Sequence, residues 1–185
     1  MFVDTSCSPD APKLPSVSVS PSGQIVEGSS VTLTCSSDAN PAANYTWYKE
    51  NQTLFHVPEG SYNFISIRSE DRGMYYCKSE NQYGWINSSS LFIDVLYAPK
   101  LPSVSVSPSG QIVEGSSVTL TCSSDANPAA NYAWYKENQT LFHGPEGSYN
   151  FISISSEDRG MYYCKSENQY GWINSLSLFI DVLCK

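Results

Sequence analysis

The chain has 185 residues, six cysteines, only 15% charged residues and a formal net charge of −8. That balance excludes the basic stripe of a nucleic-acid binder and the polybasic patch of a membrane-surface protein. No apolar run approaches the ~18–20 residues of a membrane span, so this segment is not expected to insert directly into a bilayer.

Sliding the chain by 87 positions lays Ala11–Leu96 on Ala98–Leu183, and the 86 pairs differ at four places: Thr46/Ala133, Val57/Gly144, Arg68/Ser155 and Ser89/Leu176. Repeats of about 20–50 residues stack into solenoids because none can bury a face alone; a unit of this size holds its own core. Two autonomous domains are therefore expected, at 11–97 and 98–185, behind an N-terminal segment at 1–10.

Within one repeat, turn signals recur every eight to twelve residues: "SPSG", "DANPAAN", "KENQ", "VPEG", "SEDRG" and "ENQYG". Between them, in chain order, lie the β-rich runs "SVTLTC", "YTWY", "FISI", "MYYC" and "SLFIDVL". No window sustains a helical period. The spacing predicts an all-β fold, a sandwich or barrel. Alternation then assigns faces. Val31, Leu33 and Cys35 share one face of the first run. Tyr45 and Trp47 oppose Thr46 and Tyr48. Tyr75 and Cys77 oppose Tyr76 and Lys78. Leu91, Ile93 and Val95 form a further inward row. The core anchors are Cys35, Trp47, Tyr75 and Cys77, and in the second copy Cys122, Trp134, Tyr162 and Cys164.

Cys35, Trp47 twelve residues on, and "DRGMYYC" ending at Cys77 resemble the immunoglobulin fold. The D-x-G-x-Y-x-C pattern falls on Asp71, Gly73, Tyr75 and Cys77. The resemblance implies two tandem immunoglobulin-like β-sandwiches. It implies an inter-sheet disulfide in each, Cys35–Cys77 and Cys122–Cys164, with the tryptophan packed on it; the alternative is two buried free thiols. It also implies a tyrosine whose hydroxyl bonds back to the backbone at the corner entering its strand. The short stretch between the tryptophan strand and "FISI" suggests a constant-2-like or intermediate-type sandwich of seven or eight strands. Disulfides persist in oxidising compartments, so an extracellular or cell-surface location is expected.

The phrases "SVSVSPSGQIVEGSSVTLTCSSDANPAANYTWYKEN" and "SEDRGMYYCKSENQYG" are similar to the tandem domains of bony-fish B-cell inhibitory co-receptors related to the sialic-acid-binding lectins (Siglecs). Those relatives imply cell adhesion, glycan recognition by an outermost domain and inhibitory signalling through a tail. In Siglecs an arginine on the tyrosine–cysteine strand of a variable-type domain holds sialic acid. This chain has Lys78 and Lys165 at "MYYCKSE", Arg68 lies outside that strand, and neither domain is variable-type. Sialic-acid binding therefore does not transfer, and neither does signalling.

The repeats join through "LYAPKLP", and "DAPKLP" at Asp10–Pro15 repeats that joint. A short proline-containing joint predicts an extended, semi-rigid pair. The chain is expected to be a segment of a longer tandem array or a truncated one. Cys7 and Cys184 have no counterparts in the repeat. In a rod of roughly 70–80 Å they stand too far apart to pair with each other, which leaves an interchain bond or an artefact of truncation.

Asn44-Tyr45-Thr46, Asn51-Gln52-Thr53, Asn87-Ser88-Ser89 and Asn138-Gln139-Thr140 match the N-glycosylation pattern. Ala133 and Leu176 remove two acceptors from the second copy. His56 and His143 are one position in two copies and lack companions, no CxxC or calcium loop occurs, and no enzyme, metal or cofactor is implied. Function is expected from surface recognition. The leading expectation is a receptor ectodomain fragment in adhesion or immune recognition whose domains mainly act as spacers. The alternatives are a soluble secreted decoy form, or a module binding a cell-surface protein or glycoprotein through an outer sheet face. That face carries Tyr48, Tyr76 and Lys78, and in the second copy Tyr135, Tyr163 and Lys165. The sequence carries no signal for or against self-association.

Overall fold

A computed structural model of the chain describes residues 8–184. The chain divides into two compact units, Met1–Val95 and Leu96–Lys185. In the first, the strands are β1 (Ser16–Ser20), β2 (Ile25–Val26), β3 (Val31–Ser36), β4 (Asn44–Lys49), β5 (Gln52–Val57), β6 (Ser61–Phe64), β7 (Gly73–Asn81), β8 (Gly84–Asn87), β9 (Leu91–Ile93) and β10 (Val95–Leu96). A single 3₁₀ turn, Ser69–Asp71, precedes β7. The second unit repeats the pattern as β11 (Ser103–Ser107), β12 (Ile112–Val113), β13 (Val118–Ser123), β14 (Asn131–Lys136), β15 (Gln139–Gly144), β16 (Ser148–Phe151), β17 (Gly160–Asn168), β18 (Gly171–Asn174), β19 (Leu178–Ile180) and β20 (Val182–Leu183).

Each unit is a sandwich. One sheet runs β1-β3-β6, the other β5-β4-β7-β8 with β9 also on β7, and β10 pairs with the short β2. The equivalent pair in the second unit, β12 and β20, is parallel. Strict alternation along β3 buries Val31, Leu33 and Cys35 and leaves Thr32 and Thr34 half-exposed. Trp47, Tyr75, Ile93 and Val95 complete the sealed interior of the first unit. Trp134, Tyr162, Leu120 and Ile180 do so in the second. Apolar burial on this scale supplies most of the driving force of a small sandwich.

Two strand expectations need correction. The run "FISI" is not the strand; the ladder occupies Ser61–Phe64 and ends where Phe64 opposes Val31. Beyond it the chain bends, Ile65 turns out to solvent, and Ile67 is buried again. Ile67 is held by a loop instead of a ladder: its amide donates to the Ser29 carbonyl at 2.9 Å, and the Gly28 amide donates to its own carbonyl at 2.7 Å. The run "SLFIDVL" is likewise two strands. It breaks at Asp94, whose carboxylate pairs with Arg72 at 2.7 Å, so that β9 stays on β7 while β10 crosses to β2.

The peptide ahead of each sandwich is bonded to the domain that follows it. Asp10 donates to the Asn40 carbonyl at 2.7 Å, and Asn81 Nδ2 donates to the Asp10 carbonyl at 2.7 Å. In the second unit Tyr97 donates to the Asn127 carbonyl at 2.7 Å, and Asn168 Nδ2 donates to the Tyr97 carbonyl at 2.8 Å. An ion pair, Lys100–Asp125 at 2.8 Å, fastens the same segment.

Candidate functional site

Cys35 on β3 is joined to Cys77 on β7, and Cys122 on β13 to Cys164 on β17, so each bond links the two sheets of one sandwich. The Tyr75 and Tyr162 hydroxyls donate to the carbonyls of Asp71 and Asp158, four residues upstream. Burial, and after it the nearby Asp71 or Asp158 carboxylate, pushes both phenols well above the ordinary tyrosine range. These groups are braces: neither phenol releases its proton near neutral pH. Cys184 is an exposed free thiol, and Cys7 lies outside the described residues.

The outward face of the five-stranded sheet is where exposed chemistry collects. Register places three rungs across it. Tyr48 opposes Tyr76. Lys78 stands between Thr46 and Asn87, and Glu80 between Asn44 and Trp85. The Tyr48 and Tyr76 rings stack at 4.9 Å and 6°. Lys78 Nζ pairs with Glu80 at 2.7 Å and lies 5.2 Å from the centre of the Trp85 ring. Thr46 Oγ1 and His56 Nδ1 share a hydrogen bond at 3.1 Å.

The second sandwich reproduces this geometry with two changes. Tyr135 and Tyr163 stack at 5.0 Å and 9°, and Lys165 pairs with Glu167 at 2.6 Å and covers Trp172 at 5.1 Å. Ala133 offers His143 no hydroxyl, and Leu176 is 72% exposed where the first copy has Ser89. Tyr48, Tyr76 and Lys78 lie on the outward face of the first sandwich, and Tyr135, Tyr163 and Lys165 on the matching face of the second. Trp85 and Trp172 were not singled out from sequence, although each is 61% exposed on the same face. The signal was present: "NQYG" closes a two-residue hairpin, Asn81 to Gly84, which sets Trp85 opposite Glu80.

Asn44, Asn87 and Asn51 are all exposed, the first two on this face and Asn51 at the β4–β5 turn, where its φ is 68°. Asn138 is exposed at the equivalent turn of the second unit. Among the described residues no group of three or more His, Cys, Asp or Glu stands close enough to hold a metal ion. No helix among them is long and apolar enough to cross a membrane.

Two disulfide-linked sheets, a tryptophan sealed against the bond and a tyrosine corner, met twice in succession, define a tandem immunoglobulin-type sandwich. The family model described as "Immunoglobulin domain" matches residues 15–81 and 102–168. The chain belongs to the immunoglobulin superfamily, with relatives among the Siglecs. It is 36% identical to mouse B-cell receptor CD22 over 156 residues, which is 83% of this chain and 18% of that protein. It is 33% identical to rat myelin-associated glycoprotein over 162 residues, 84% of this chain and 25% of that one. To dog vascular cell adhesion protein 1 it is 33% identical over 178 residues, 93% of this chain and 24% of that protein. The chain therefore spans a quarter or less of the length of these curated relatives, which are receptor and adhesion-type proteins of the cell surface. Among solved structures, a tandem pair of titin Ig domains matches with a TM-score of 0.55 and 17% identity, over 97% of this chain and 100% of that one. The N-terminal four Ig domains of Dscam1 match at 0.51 and 21%, over 97% of this chain and 48% of that one. At such identities these two share the fold and nothing finer.

Proposed function

We propose that this chain is part of the extracellular region of a cell-surface receptor in adhesion or immune recognition, and that its two domains act mainly as spacers for a binding head. It is not an enzyme on this reading. One observation carries the spacer role. Each sandwich is bonded to the peptide ahead of it, Asp10 to Asn40 in the first and Tyr97 to Asn127 and Asn168 in the second, so the two are self-contained copies of one module. A repeated self-contained module lengthens a chain, which is what a spacer needs. The receptor and adhesion relatives support the setting.

A second reading is favoured by the face of the second domain. Tyr135, Tyr163 and Trp172 lie on this face, and tyrosine and tryptophan are the residue types that anchor interfaces. On this reading the face binds a cell-surface protein or glycoprotein. The disulfide-bonded chain, titrated onto cells bearing candidate ligands, separates the two. A spacer gives no saturable binding up to about 10 μM. Saturable binding below that level, abolished by Tyr163→Ala, overturns the spacer reading in favour of the module.

A further inference from the structure

We propose that the first domain's outward face is covered by the chain's own N-linked oligosaccharides, attached at Asn44 and Asn87, and that the same face of the second domain is left bare. The inference rests on the extracellular reading above, because the modification belongs to the secretory route.

The geometry starts from the register. Asn44 on β4 and Asn87 on β8 flank β7 from opposite sides, on one face. Strands lie ~4.8 Å apart and rise ~3.4 Å per residue, so the two acceptors stand on the order of 12 Å from each other. Trp85 lies on the same rung as Asn44 and two residues from Asn87 on the same side of β8, within ~10 Å of both. An attached sugar chain at either site reaches over the indole, whose open face takes the apolar side of a pyranose ring. That gives the exposed Trp85 an occupant supplied in cis.

The second copy retains both asparagines, as Asn131 and Asn174, on the same rungs. What it loses are the hydroxyl residues two positions on: Thr46 becomes Ala133 and Ser89 becomes Leu176. Two of the four differences between the repeats thus strike acceptor triplets, and both of those triplets lie on this face. The acceptor at the β4–β5 turn is untouched, as Asn51 and Asn138. Leu176 adds an exposed apolar side chain where the serine stood, so the change that removes the acceptor also makes the surface at that point less polar.

The attachment is a substitution at the anomeric carbon of a lipid-diphosphate-linked oligosaccharide. The Asn Nδ2 forms the new C–N bond, the C–O bond to the phosphate breaks, the amide gives up one proton, and the lipid diphosphate leaves with the electron pair.

The two tryptophans make an internal control, because each is 61% exposed in the bare protein. The full chain is secreted from eukaryotic cells, its glycopeptides are mapped, and hydroxyl-radical oxidation of Trp85 and Trp172 is followed by mass spectrometry. Their tryptic peptides differ in sequence. The expected result is glycan at Asn44 and Asn87 and several-fold slower oxidation of Trp85 than of Trp172. Enzymatic deglycosylation should bring the two rates together, and so should the double variant Thr46→Ala, Ser89→Leu without enzyme. Equal rates with both acceptors modified would overturn the proposal. So would bare Asn44 and Asn87 beside modified Asn51 and Asn138, an outcome that leaves the extracellular reading intact. If Asn51 and Asn138 are bare as well and the cysteines are reduced, both fall together.

Discussion

The indole N–H of Trp47 donates to the carbonyl of Gly60 at 3.1 Å, and the Cys35 amide donates to that same oxygen at 3.0 Å. One glycine carbonyl therefore ties the buried tryptophan to the disulfide strand. Gly60 sits at φ +79°, and a Cβ there would lie 2.2 Å from the Cys35 carbonyl oxygen. Gly60→Ala is expected to cost about 2–4 kcal/mol, through backbone strain and displacement of β3. Gly23→Ala, where nothing lies within 4 Å, should change stability by less than about 0.5 kcal/mol. Urea unfolding of both variants checks this; equal midpoints would refute it.

The tyrosine corner predicts an alkaline sensitivity. Burial raises the Tyr75 and Tyr162 pKa values in the folded protein, while an unfolded tyrosine titrates near 10. The folded state holds those protons more tightly. Its stabilisation is complete below about pH 10 and is lost as pH rises above that value. The double variant Tyr75→Phe, Tyr162→Phe should lose about 1 kcal/mol per domain at neutral pH, from the missing hydrogen bonds to Asp71 and Asp158. It should also fall less steeply than the parent between about pH 9 and 11. Denaturant midpoints across that range read both effects.

Each inter-sheet disulfide spans 42 residues. Replacing Cys35 and Cys77 by alanine should cost about 3–4 kcal/mol in the first domain by release of loop-closure entropy. The second domain should melt as before if the two cores are independent. Differential scanning calorimetry of the variant tests both statements, and a downward shift of both transitions would contradict the second.

Ser79 and Ser166 point inward from β7 and β17, fully buried, and their hydroxyls have no hydrogen-bond partner among the described residues. Burying an unpaired hydroxyl costs more than it returns. Ser79→Ala and Ser166→Ala are therefore expected to leave stability unchanged or raise it by up to about 1 kcal/mol each. A loss of more than about 1 kcal/mol would mean that the hydroxyl is satisfied by a bound water. Thermal melts of the single variants decide.

The sequence made the disulfide strands legible because Cys35, Trp47, Tyr75 and Cys77 carry a pattern few other folds require. Period-two alternation also put Tyr48, Tyr76 and Lys78 on one outward face without reference to any long-range contact. The course of residues 64–67 was not legible. "FISI" alternates as well as any strand, and only the distant bonds from Gly28 and Ser29 show that Ile67 belongs to a bend. The break at Asp94 was hidden for a similar reason: the switch of partner from β7 to β2 is a tertiary event. Trp85 was overlooked although its hairpin could be counted, because its importance comes from a lysine and two acceptors on other strands.

The joint carries a consequence for how such chains grow. Asp10 and Tyr97 differ in side chain, yet both bridge to an asparagine through backbone atoms, and both hold the sandwich downstream. The connector thus travels with the module behind it and tolerates a change of residue at its first position. A genetic exchange that copies one 87-residue period delivers a new sandwich with its fastening already fitted, and no new contact has to evolve before the added module can fold in place.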